Sequence, residues 1–128
     1  MDIAELNAFV NEWLATWTGN RPQELLNYYT DNALYIDPAM QQGICGKEAL
    51  NTYFTKLLQK NPSWVWTSVE IMPTQNGFTL KWRAEIPVKG NTIVLLGLDI
   101  VELEDKKISR NEVYFDRHEW ISALLRKD

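Results

Sequence analysis

The side chains best suited to chemistry in this sequence are three aspartates. Asp99 stands in the middle of TIVLLGLDIVEL, residues 92–103, among aliphatic neighbours. Asp37 precedes Pro38 in ALYIDP, and Asp116 opens the segment DRHE. An ionised carboxylate is costly to bury without partners, so a buried Asp99 must be paired or kept protonated. In an extended strand Asp99 shares a face with Ile93, Leu95, Gly97 and Val101. The opposite face carries Val94, Leu96, Leu98 and Ile100, so the segment reads as a strand covered on both sides. Two readings of Asp99 are open. Either it pairs with Arg83 or Arg110 on a neighbouring strand, or it lines a cavity. There desolvation would raise its pKa until it could donate a hydrogen bond near neutral pH. Gly97, on the same face, would leave room for a ligand.

Asp37 ends a short apolar stretch before a proline. It has two readings: an Asx-type turn, or an ionised general base at a cavity mouth. Asp116 fits an N-cap, with Glu119 three residues on, and capping and catalysis are not exclusive. Glu112 and Tyr114 share a strand face, either wet or a pocket wall. His118, the single histidine, is flanked by Arg117 and Glu119 and reads as a surface residue. Cys45 reads as a packing residue. No His or Cys cluster has metal spacing, and neither a phosphate loop nor a nucleophile elbow is present, so no cofactor or metal is expected. The aromatic residues are mainly core, and Trp13, Trp17, Tyr53 and Trp82 form the subset that could wall a pocket.

These residues need elements to hold them. Ile3, Leu6, Phe9, Val10, Trp13, Leu14 and Trp17 recur at helical spacing over residues 3–18. Gly19 ends that helix, and Pro22 opens a short one predicted over 23–29. A short strand follows over 33–37, closed by Asp37-Pro38. A second long helix is predicted over 47–59. The remainder reads as long antiparallel strands over 64–72, 78–86, 92–103 and 107–116, with a terminal helix starting near Arg117. Helices followed by a run of strands predict an α+β fold. The expected shape is a cone, a curved antiparallel sheet wrapped around the N-terminal helices, with an internal pocket between them.

The length of 128 residues suits a single domain over 1–128. The net charge of −4, without a Lys or Arg run, argues against a nucleic-acid partner. The single Cys45 excludes an intrachain disulfide, favouring the cytosol. The first fifteen residues carry acids among their apolar side chains and no basic leader, so no secretory signal is expected. No apolar run reaches the ~18 residues of a membrane span, so no membrane association is expected. A cytoplasmic protein is the expectation.

The segment YYTDNALYIDP at 28–38, the GKEAL at 46–50 and DKKI at 105–108 leading to YFD at 114–116 resemble the SnoaL-like polyketide cyclase group. This group sits within the nuclear transport factor 2-like superfamily and is related to ketosteroid isomerase. The resemblance covers nearly the whole chain and implies an α+β cone, commonly a homodimer formed across the sheet, with an apolar pocket. By likeness to the isomerases, Asp37 takes the place of the general base and Asp99 that of a protonated oxyanion donor. Trp13 falls near the place of a second donor, and an indole N–H can donate. By likeness to the cyclases, Asp116 takes the place of an acid/base for aldol closure. Trp17, Tyr53, Trp82 and Tyr114 would join the substrate contacts. The expected function is a cofactor-free isomerase- or cyclase-like protein acting on a small apolar carbonyl compound. The alternatives are a ligand-binding module or a dimerisation domain of the same fold.

Overall fold

A computed structural model describes residues 1–126. Its elements follow in order as α1 (Ile3–Ala15), α2 (Pro22–Leu26), β1 (Tyr29–Asp37), β2 (Met40–Cys45) and α3 (Lys47–Lys60), then β3 (Val65–Thr74), β4 (Gly77–Val88), β5 (Asn91–Glu104), β6 (Lys107–Tyr114) and α4 (His118–Leu125). The fold is α+β. The six strands form one curved, unclosed sheet in the order β2-β1-β6-β5-β4-β3.

Asp2 starts α1 through a reciprocal capping box with Glu5, which satisfies two of the first free amides. The helix then buries Leu6, Val10, Trp13 and Leu14, one apolar stripe, and packs on β3. Leu50, Phe54 and Leu58 form the buried stripe of α3, which packs on β1. In β4 the alternate residues Phe78, Leu80, Trp82, Ala84, Ile86 and Val88 all point inward and are buried. In β5 the inward set is Ile93, Leu95, Gly97, Asp99 and Val101. The β4–β5 hairpin holds that register through a two-residue turn, Lys89-Gly90, with both residues at positive φ.

The structure departs from the sequence reading in five places. The short helix stops at Leu26, because Tyr29 is needed as the first, fully buried residue of β1. The strand β2 was not expected. Its sequence, MQQGIC, has too few apolar residues to alternate, and it forms by pairing with β1 across the tight Pro38-Ala39 turn. The sheet is not purely antiparallel, since β1 and β6 pair in parallel although they are far apart in the sequence. The outer face of β5 is open rather than covered: Val94, Leu96 and Leu98 are exposed, Leu96 by 57%. Asp116 accepts from the His118 backbone N–H one residue before the N-cap, which is Arg117.

Gly97 lies directly opposite Trp82 in the β4–β5 register. A Cβ on Gly97 would lie 2.2–2.7 Å from three atoms of the Trp82 ring. The space predicted for a ligand is therefore filled by that indole, which lies flat across β5. Gly97→Ala should destabilise the protein by about 1–3 kcal/mol in urea unfolding, the usual cost of overpacking. In the Trp82→Phe background the same substitution should cost less, and equal costs in both backgrounds would refute the contact.

Candidate active site

Between the sheet and α1, α3 and α4 lies a cavity of about 110 Å³. Its wall includes Asp37, Asp99, Trp17, Tyr53 and Trp82 together with Tyr35, Trp64, Trp66, Phe115, Arg117 and Trp120. Three residues expected at the site are elsewhere. Trp13 is completely buried one turn before Trp17, packed against Phe9 and Phe78. Among the described residues its Nε1 meets no acceptor in full hydrogen-bond geometry, although it acts on the neighbouring Tyr29 phenol. Tyr114 faces outward, 49% exposed, since strand alternation assigns the inward position to Val113. Asp116 lies beyond the end of β6, exposed, as the acceptor for His118.

Asp99 is 4% exposed and, among the described residues, has no cationic partner. The arginines proposed for it are engaged elsewhere, Arg83 with Glu85 and Arg110 with Glu102 and Glu112. Asp99 Oδ1 accepts from Trp82 Nε1 at 2.7 Å, and Oδ2 accepts from Asn111 Nδ2 at 3.1 Å. Asn111 is in turn held by the Tyr29 hydroxyl, which donates to its Oδ1 at 2.8 Å. Both donors to the carboxyl are neutral. Desolvation therefore dominates and pushes Asp99 up to about 7. The hydrogen bonds from Asn111 and Trp82 oppose that rise, and the charge of Asp37 adds to it.

Asp37 has a different environment, although it is 7% exposed. Its Oδ1 accepts from the backbone N–H groups of Ala39 and Met40, each at 2.9 Å, an Asx turn that closes the β1–β2 hairpin. Its Oδ2 accepts from the Tyr35 hydroxyl at 2.9 Å and the Tyr53 hydroxyl at 2.6 Å. The turn role and the cavity position thus coexist in one residue. Burial, then Asp37 itself, hold the Tyr35 phenol well above its ordinary range. Tyr53 is raised by burial and by its hydrogen bond to Asp37, while Arg117 pulls it back. Among the described residues no His, Cys, Asp and Glu group is arranged to hold a metal ion, and no helix is long and apolar enough to cross a membrane.

The sequence reading did not single out Asn111, Tyr35 or Arg117. Asn111 was findable: it is a polar residue on the same strand face as Val113. Tyr35 lies two residues before Asp37 and so on its face of β1. Nothing local marks Arg117, whose position depends on how α4 folds back over the sheet.

The family model for the SnoaL-like domain matches residues 10–111. The chain belongs to the SnoaL-like domain family. Solved structures share its fold at low identity. A ketosteroid isomerase-like fold from Catenulispora acidiphila, in complex with trimethylamine, is 18% identical with a TM-score of 0.75, covering 91% of this chain and 88% of that one. A candidate SnoaL-like polyketide cyclase from Jannaschia is 12% identical with a TM-score of 0.81, covering 98% and 94%. AclR from Streptomyces galilaeus, described as a candidate hydroxylase, is 12% identical with a TM-score of 0.77, covering 96% and 97%. No curated protein sequence matches the chain. The SnoaL-like architecture is thus established independently of any reaction.

The raised Asp99 pKa has a consequence for stability. An acid with a folded pKa above its unfolded value favours the folded state less as pH rises from about 4 to about 7, because burial then opposes ionisation. Below that window both states are protonated and the penalty vanishes. The melting temperature of Asp99→Asn relative to the parent chain should therefore increase between pH 5 and pH 8, followed by circular dichroism. A constant difference across that range would mean that Asp99 titrates normally.

Proposed function

We propose that this SnoaL-like chain is a cofactor-free acid/base protein of the isomerase or cyclase type. Its substrate would be a small apolar carbonyl compound held between sheet and helices. The observation that carries this reading is the difference in open acceptor sites between the two cavity acids. A carboxylate has about four such sites. Asp37 uses all four, two for backbone amides and two for phenols. From the described residues Asp99 accepts only two hydrogen bonds, one on each oxygen. A proton can reach Asp99 without displacing anything, and a pKa near 7 lets it give that proton back.

This division supports Asp99 as the proton carrier and Asp37 as the fixed acceptor that orients Tyr53, the reverse of the roles the family resemblance implies. Ionised Asp99 would take a proton from the carbon next to the carbonyl, leaving an enolate. Tyr53 would turn its O–H from Asp37 to the enolate oxygen. Returning the proton to a different carbon completes an isomerisation. Attack of the enolate carbon on a second carbonyl of the same molecule, with Asp99 returning its proton to the alkoxide oxygen so formed, completes a cyclisation. Asp116 has no part in this scheme, because it is outside the cavity and engaged in the turn before α4.

The size of the cavity favours a second reading, a binding module without turnover. At about 110 Å³ it falls below the ~300 Å³ from which most ligand pockets begin. We also propose a homodimer through the outer sheet face, with no nucleic-acid or membrane partner and a cytoplasmic location. Val94, Leu96, Leu98 and Tyr114 support that interface, being large apolar side chains left open on adjacent strands.

The chemistry is tested by exposing a panel of small cyclic ketones to the protein in deuterated water and following loss of the α-proton signals by NMR. Exchange should accelerate as pH rises through about 7, where Asp99 ionises, and then level off. Asp99→Asn should slow it by about 100-fold or more, the usual scale for a lost general base. Exchange that survives this substitution refutes Asp99 as the carrier, and no exchange with any ketone leaves the binding module as the better reading. For the assembly, Leu96→Glu should convert a dimer to a monomer in analytical ultracentrifugation. A parent chain that sediments as a monomer overturns the interface.

A further inference from the structure

Among the described residues, Arg117 is the single cation on the cavity wall. Its position is unusual for an arginine of this chain. Arg21 pairs with Glu24, Arg83 with Glu85, and Arg110 with both Glu102 and Glu112. The Arg117 guanidinium makes no hydrogen bond, ion pair or ring contact with any described residue. Neither adjacent acid relieves it: Asp116 is turned to the His118 amide, and Glu119 forms no ion pair with it. Arg117 is nonetheless half-buried. Taking a charge partly out of water without a partner is unfavourable. Arg117 belongs to the cavity wall, and the five N–H donors of a guanidinium form a planar fork matched to a delocalised oxyanion.

The surroundings indicate what sort of anion would fit. Trp64, Trp66, Trp82, Phe115 and Trp120 line the same space and offer flat apolar surfaces. The Tyr53 hydroxyl, which donates to Asp37, also feels the charge of Arg117. Asp37 does not claim the guanidinium, because its oxygens are already filled by four other donors. An incoming anion would therefore find Arg117 uncommitted to any described residue.

We infer that Arg117 binds an anionic group of the ligand, so that the ligand is a small ring compound bearing a carboxylate or an acidic enol. This specifies the substrate class of the cavity proposed above and rests on that reading of the site, but not on turnover. A carbonyl compound with such a group would be held by its charged end at Arg117. Its ring would lie among the indoles, and its acidic C–H would be presented toward Asp99.

The test uses three probes of nearly equal shape that differ in charge: benzoate, benzamide and benzylamine. Each is titrated into the full chain by calorimetry near pH 6, where Asp99 is mainly protonated. Benzoate should bind at least about tenfold more tightly than benzamide. Arg117→Gln should abolish that preference while leaving benzamide affinity within about twofold. Arg117→Lys should retain part of it, since a point charge attracts the anion without matching its fork. Circular dichroism establishes that both variants fold. Equal binding of benzoate and benzamide overturns the inference, as does a preference that survives Arg117→Gln. Tighter binding of benzylamine overturns it too, because the aromatic wall and Asp37 would then form a site for cations. Absence of saturable benzoate binding up to about 10 mM also counts against it. The ketone exchange experiment can fail while this one succeeds, which separates a wrong reaction from a wrong ligand.

Discussion

A carboxyl group inside an apolar sheet must find donors, and in this chain it finds two neutral ones. The hydrogen bond from Trp82 Nε1 to Asp99 Oδ1 spans adjacent strands. It exists because Gly97 has no side chain: any Cβ there would occupy the space of the indole ring. The second donor, Asn111, is held in orientation by Tyr29, so three residues from β1, β4 and β6 are gathered around one acid on β5. Neutral donors stabilise the group without fixing its charge. An arginine in either place would have held Asp99 permanently ionised. With Trp82 and Asn111 instead, desolvation prevails and the group stays close to its titration point at physiological pH.

The two cavity acids illustrate how environment assigns roles to identical side chains. Asp37 is as well buried as Asp99, yet it sits where a tight turn exposes two backbone amides and where two tyrosines converge. Four donors satisfy it completely. Asp99 lies mid-strand, where the backbone amides are committed to the sheet ladder and only side chains can reach it. The number of donors available at a turn and within a strand thus differs for a simple geometric reason. That difference, more than the position of either residue in the chain, separates a fixed acceptor from a group free to exchange a proton.

Much of the fold was legible because it depends on periodicity. The helical spacing of Leu6, Val10, Trp13 and Leu14 and the strict alternation through β4 and β5 each reflect a local repeat of the backbone. Alternation placed Asp99 on the face of Ile93, Leu95 and Val101, but both faces of β5 read as apolar, and only the structure shows that this face points inward. The strand β2 was illegible because Met40–Cys45 carries no such pattern and is a strand only through its partner. The parallel β1–β6 pairing joins segments far apart in the sequence, which no local pattern encodes. Trp13 and Trp17 look alike as a pair one turn apart, yet only the second reaches the cavity. The occupant of the space above Gly97 was misread for the same reason: a ligand and an indole from the next strand leave the same trace in the sequence.

The sequence by itself determined the α+β class, most of the strands and which of their residues share a face, and the presence of an acid that would need special treatment. These follow from local backbone geometry and from the cost of desolvating charge, both of which act on neighbouring residues. Only the tertiary structure decided which partners that acid received, that Asp37 is saturated, and that an arginine beyond the last strand joins the wall of the same cavity, with no ion pair to any described residue. Those outcomes depend on the register between strands and on where α4 returns across the sheet. Register and return path are set by the packing of distant side chains, so they come into being only when the whole chain has folded.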